Sequence, residues 1–107
     1  MNDITIFNHL GNNIRVTTNE QGEPLFVLKD ICSVLEIGNP SDVARRLDED
    51  GVDSIEVTDN LGRKQKTNVV TEAGLYEVIF MSRKPEAKAF KRWVTSEVLP
   101  SIRKRAH

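Results

Sequence analysis

The sequence predicts an α+β fold in which small antiparallel hairpins pack against four or five helices, including a helix-turn-helix-like pair and a basic C-terminal helix. Two observations carry that expectation. Short β-branched runs come in pairs around Gly, Asn and Asp clusters, the pattern of hairpins. Between and after them, apolar residues recur at spacings of three and four, the pattern of helices with one face turned inward. The chain has 107 residues, with 38% hydrophobic and 29% charged side chains. That is long enough to bury a core as one domain over 1–107, and the composition suits an ordinary soluble globular protein.

Ile4–Phe7 and Ile14–Thr18 flank the turn-rich Leu10-Gly11-Asn12-Asn13 and predict the first hairpin. Gln21-Gly22-Glu23-Pro24 turns the chain into a brief buried strand, Leu25-Phe26-Val27. Over Leu28–Leu35 the period becomes helical, and Gly38 is placed to cap the end of that helix. Asn39 then caps a helix from Ser41 to about Asp48, with Pro40 in the first position and Asp42 at the positive end of the dipole. Val43, Ala44 and Leu47 face the core, which leaves Arg45 and Arg46 pointing outward. Two helices joined by a short Gly-containing turn have the general shape of a helix-turn-helix. Many proteins that never touch DNA share that pairing.

Val52–Thr58 and Arg63–Val70 flank Asp59-Asn60-Leu61-Gly62 and predict a second hairpin. Arg63, Lys64 and Lys66 crowd beside its tip. They suit a wing lying over phosphates and, equally, an edge strand guarded against aggregation. Thr71 caps a helix over Glu72–Ser82 that is apolar around most of its circumference. It is therefore expected to be the buried core helix, with Gly74 permitting close packing.

From Arg83 to Arg105 one helix carries two faces. Pro85 suits the first turn, and Ala87, Phe90, Val94 and Val98 draw an apolar stripe. Lys84, Lys88 and Arg92 line up on a different side. Pro100 is expected to kink or end the helix, and Arg103, Lys104 and Arg105 follow. Tyr76, Ile79, Phe80, Phe90, Trp93 and Val94 are expected at the centre of the core. A solvated surface face gives the same cationic stripe, so the stripe alone does not decide its role.

Net charge is −1, but it is unevenly spread. Residues 1–62 hold four basic and twelve acidic side chains, whereas 79–107 hold eight basic and two acidic. Such asymmetry points to a polyanionic partner, or to attraction between the two halves. No apolar run approaches a membrane span, and no signal-peptide pattern opens the chain. Cys32 is the one cysteine, so an intrachain disulfide is excluded and an unexported protein is expected. His9 lies in a hairpin and His107 is the last residue, neither placed for a triad or a metal site. Glycine-rich phosphate loops are absent. Aligning Gly51 with a calcium-loop glycine puts Arg46 and Val57 at ligand positions, which fails. A magnesium-dependent nuclease built on Asp48, Asp50 and Asp53 has no further support, so neither an enzyme, a metal nor a cofactor is expected.

Taken together, several segments resemble the N-terminal domain of the BRO family. They are Phe26-Val27-Leu28-Lys29-Asp30-Ile31, the run from Gly38-Asn39-Pro40 to Asp48, Thr71-Glu72-Ala73-Gly74-Leu75-Tyr76, and Ser82 to Val94 continued by Glu97 to Arg103. Modules of this kind begin phage and prophage antirepressors and baculovirus repeated-ORF proteins, and they are regarded as DNA-binding. The resemblance implies a non-enzymatic regulator of transcription acting on double-stranded DNA in the cytoplasm of a bacterial host cell. Physical placement of the contacts assigns Arg83, Lys84, Lys88, Arg92 and Arg103 to phosphates, since each neutralised phosphate releases counterions. Arg45 and Arg46 are placed to reach base edges, and Arg63, Lys64 and Lys66 form the wing. The acidic stretch Asp48–Asp53 must then face away from the duplex. The alternative is a protein-interaction module that binds a phage repressor, or forms a homodimer, without contacting DNA.

Overall fold

Leu10 and Gly11 both take positive φ, 52° and 87°, the geometry of the two-residue turns that match strand twist. They join β1 (Thr5–His9) to β2 (Asn12–Thr18), with His9 opposite Asn12. The computed structural model describes residues 4–59 and 61–105, with side chains as far as 103. Asn60 in the expected second turn, the side chains of Lys104 and Arg105, and His107 therefore lie outside the described residues. β3 (Pro24–Val27) pairs with β2, and a second hairpin joins β4 (Val52–Thr58) to β5 (Lys64–Val70). The described strands form one antiparallel sheet in the order β1-β2-β3-β5-β4. β5 meets β3 only through Phe26↔Val70 and Val27↔Val69. Its first half, with Lys64 and Lys66, is paired on one side only and extends past β3.

The helices are α1 (Leu28–Val34), α2 (Pro40–Arg46), α3 (Glu72–Met81), α4 (Glu86–Trp93) and α5 (Leu99–Arg105). A 3-10 turn at Glu49–Gly51 precedes β4. Val16, Phe26 and Val70 stand side by side in the ladder and share one sheet face. That face buries against Leu28, Ile31, Leu35, Val43, Leu75, Val78, Phe90 and Val94 from the helices. The opposite face carries a smaller buried cluster of Leu25, Val27 and Val69, with Ile55 against it. The α+β expectation, with hairpins beside helices, holds. So does the apolar stripe, since Ala87, Phe90, Val94 and Val98 are all buried.

Four local expectations resolve in instructive ways. Gly38 does not end α1. Glu36 takes the left-handed conformation (φ 53°) instead, and the Ile37 amide donates to the Cys32 carbonyl at 2.9 Å, closing a Schellman turn. A glutamate there costs about 1–2 kcal/mol; its carboxylate is ion-paired with Lys84. Pro100, expected to kink or end the last helix, does not end it. The chain opens into a five-residue π-helical segment, Val94–Val98, and continues as α5. A proline lacks the N–H that an α-turn needs, and a wider turn accommodates that loss. Thr95 and Ser96 hydroxyls back-bond to the Arg92 carbonyl at 3.1 and 2.6 Å.

Gly74 is required as expected, because a Cβ there meets the Gly51 carbonyl, and Thr71 caps α3 by accepting from the Gly74 amide at 3.2 Å. The expectation for Phe80 fails. Its ring is 91% exposed, because α3 is covered on the Leu75, Val78 and Ile79 side only. An apolar circumference did not mean burial all round. Tyr76 and Trp93 sit partly buried at the core margin rather than in its centre.

Candidate nucleic-acid interface

Alternation along a strand decides which cations share a face. Lys64, Lys66, Asn68 and Val70 point to the helix side of the sheet, opposite Thr58, Glu56, Ser54 and Val52. Val70 is covered by helices, while Lys64 and Lys66 lie beyond that cover and are exposed. Two residues of strand separate them by about 6.6 Å. α2 stands over the inner part of the same face, so Ser41, Arg45, Val52, Ser54 and Asn68 border one shallow groove. A second groove runs along Ser54, Glu56, Lys64 and Lys66. A third, of about 390 Å³, lies between the starts of α1 and α2 and the face of β5, and brings Lys29 and Arg15 beside Lys66. Shared walls at Ser41, Ser54, Lys66 and Asn68 make the three one continuous surface.

Carboxylates already engage some of these cations. Asp59 organises the hairpin tip, accepting from the amides of Leu61 and Arg63 (both 2.9 Å), from Arg63 Nε at 3.0 Å and from Gln65 Nε2 at 3.2 Å. Those donors, the Arg63 amide first, hold the Asp59 carboxyl below its ordinary value. Arg63 is therefore committed to its own turn. Arg45 pairs with Asp42 at 3.0 Å, Arg103 with Glu72 at 3.2 Å, and Lys84 with Glu36. Arg15 donates its amide and two guanidinium nitrogens to Asp30 at 2.9, 2.8 and 3.0 Å, and that bonding raises the Arg15 pKa. Among the described residues, Lys29, Arg46, Lys64, Lys66, Arg83, Lys88 and Arg92 have no ion pair. Exposed Glu49 and Asp50 lie on the turn between α2 and β4, and Asp53 borders the Arg45 groove. The acidic stretch thus abuts the Arg45 end of the surface and not the Lys66 end.

α4 presents the other cationic surface. Its inward side is clamped to β1 by aromatic contacts: Phe7–Trp93 ring centroids are 6.4 Å apart, His9–Trp93 4.7 Å and His9–Phe90 5.4 Å. Burial among these rings lowers the His9 pKa. Its outward side shows Lys88, Lys91 and Arg92, with the Lys91 ammonium 5.7 Å from the Tyr76 ring centroid. The Tyr76 hydroxyl donates to Glu72, and its pKa is raised by burial first and then by that carboxylate. β1 and β4 are opposite ends of the strand order. The structure therefore gathers Arg45, Lys64 and Lys66 on one surface and carries Lys88 and Arg92 on a helix docked at the other edge. Sequence reasoning did not single out Lys29, which belongs with the first group; the only signal was its place at the opening of a short helix.

The profile of the BRO family, N-terminal domain, matches residues 13–100. The chain belongs to the BRO family. The match contains both grooved and helical cations of this BRO-family chain, except Arg103, which falls beyond it. An uncharacterized protein of Haemophilus influenzae is 35% identical over 91 residues, covering 85% of this chain and 45% of the relative. The chain thus spans about half the length of that curated relative. No solved structure matches. BRO N-terminal domains are regulatory, DNA-binding modules rather than enzymes. Among the described residues no helix is long and apolar enough to cross a membrane, and no group of three or more His, Cys, Asp or Glu side chains gathers closely enough to hold a metal ion.

Proposed function

We propose that this BRO-family chain binds double-stranded DNA as the regulatory module of a phage or prophage antirepressor-like protein. One observation carries the reading: the helix-side face of the β4–β5 hairpin and the α2 surface form a continuous grooved surface whose cations Lys29, Lys64 and Lys66 have no ion pair. The hairpin lies along phosphates, Arg46 on the exposed side of α2 is the arginine free to reach a guanine edge, and Lys88 and Arg92 supply a second, more distant backbone contact. Arg45, Arg63, Lys84 and Arg103 are held by carboxylates and contribute less. The test is fluorescence anisotropy of a generic duplex across a salt series. Affinity falls steeply as salt rises, and Lys64→Glu with Lys66→Glu weakens it more than Lys88→Glu with Arg92→Glu. Absence of binding at low salt refutes the reading.

The bare ring of Phe80 supports a second reading, a protein contact that includes self-association. Sedimentation equilibrium decides it: a dimer that Phe80→Ser dissolves supports that reading, and a monomer at high concentration removes its homodimeric form.

A further inference from the structure

Three charged side chains from separate parts of the chain, Arg15 on β2, Lys29 in the first turn of α1 and Lys66 on β5, border one groove of about 390 Å³. That volume falls within the range of small-ligand clefts, about 300–1,000 Å³. Its other walls offer the Ser41 hydroxyl and the Asn68 amide, both exposed. Of the carboxylates around the groove, Asp30 is already occupied by three donors of Arg15, and Glu56 stands opposite Lys66 in the ladder without an ion pair to it. Lys29 and Lys66 carry no ion pair and border the groove together with neutral hydrogen-bonding groups, which suits a compact anion with several acceptor oxygens.

We infer that this groove is a phosphoryl-binding site, with Lys29 and Lys66 as the charged clamp and Ser41 and Asn68 as neutral donors. Arg15, locked by Asp30, acts as a positioning residue that fixes one wall. The inference rests on the DNA reading for its main occupant, a backbone phosphate of the duplex; a free phosphate or nucleotide presents the same chemistry. It gives Lys29 a defined partner and role within the interface and makes the Lys29–Lys66 end, away from the acidic turn, the tightest phosphate contact.

Two measurements on the whole chain separate the occupants. The first is an amide NMR titration with inorganic phosphate against chloride at matched ionic strength. Saturable shifts at Lys29, Ser41 and Lys66 to Asn68 are expected, lost in Lys29→Gln and retained in Lys29→Arg. The second is duplex anisotropy against salt. Lys29→Gln is expected to lower affinity on the order of eightfold at roughly 0.1 M salt and to reduce the salt slope by about one phosphate. Lys29 is exposed, so thermal melting of the variant should match the parent. Duplex binding indifferent to both Lys29→Gln and Lys66→Gln, with no phosphate shifts in the groove, overturns the site and leaves the DNA reading standing. Phosphate shifts that vanish in Lys29→Gln, in a chain that binds no duplex, support the site with a free phosphoryl ligand and refute the DNA reading.

Discussion

The two cationic surfaces differ in what stands behind them. Lys88 and Arg92 ride on a helix fixed by burial, where Phe90 is fully enclosed and packs against His9 and Trp93. Lys64 and Lys66 ride on a half-strand paired only with β4, in a hairpin joined to the rest of the sheet through two residue pairs of β3 and β5. One surface is a by-product of a well-anchored core helix. The other has little reason to project unless the projection touches something. Damage behind the first should therefore appear as lost stability, and damage to the second as lost binding.

The largest effect sharpens the first half of that contrast. Phe90→Ala should cost about 3–5 kcal/mol in urea unfolding, whereas Phe80→Ala, at a ring already in water, should stay within about 0.5 kcal/mol. Equal losses would break the contrast at once. Next comes Gly74→Ala, where the added methyl meets backbone at Gly51 and neither side can rotate away. A loss of about 1–3 kcal/mol is expected, with no compensating gain in helix propensity. A smaller effect concerns the clamp of α4 on β1. Burial holds the folded pKa of His9 below its ordinary 6.5, so the unfolded chain takes up the proton first. Stability should be complete above pH 6.5 and decline as pH falls through that value toward the folded one. A His9→Phe variant should flatten this part of the urea-midpoint profile; an unchanged slope would detach His9 from it.

How far the sequence foretold these surfaces follows from what each depends on. The seam of α4 was legible because helical period alone puts Ala87, Phe90, Val94 and Val98 on one side. Both hairpins were legible from turn chemistry, and Asn39 and Thr71 from capping. What escaped needed tertiary packing. Phe80 reads as core by composition, but only one side of α3 has a covering layer. Gly38 reads as a helix cap, yet Glu36 takes the strained position beside Lys84. Lys29 and Lys66 border one groove because β3 runs straight into α1 and pairs with β5, a juxtaposition no local pattern records. The pairing of Arg63, Arg103 and Lys84 with acids from their own or distant segments was equally invisible to charge counting.

The most direct test of the account compares the two surfaces in one assay: the salt slope of duplex affinity for Lys64→Gln/Lys66→Gln set against that for Lys88→Gln/Arg92→Gln, each checked for an unchanged melting temperature. The hairpin pair is expected to lower the slope by nearly two phosphates and the helix pair by less. A helix pair that abolishes binding while the hairpin pair leaves the slope untouched would contradict it.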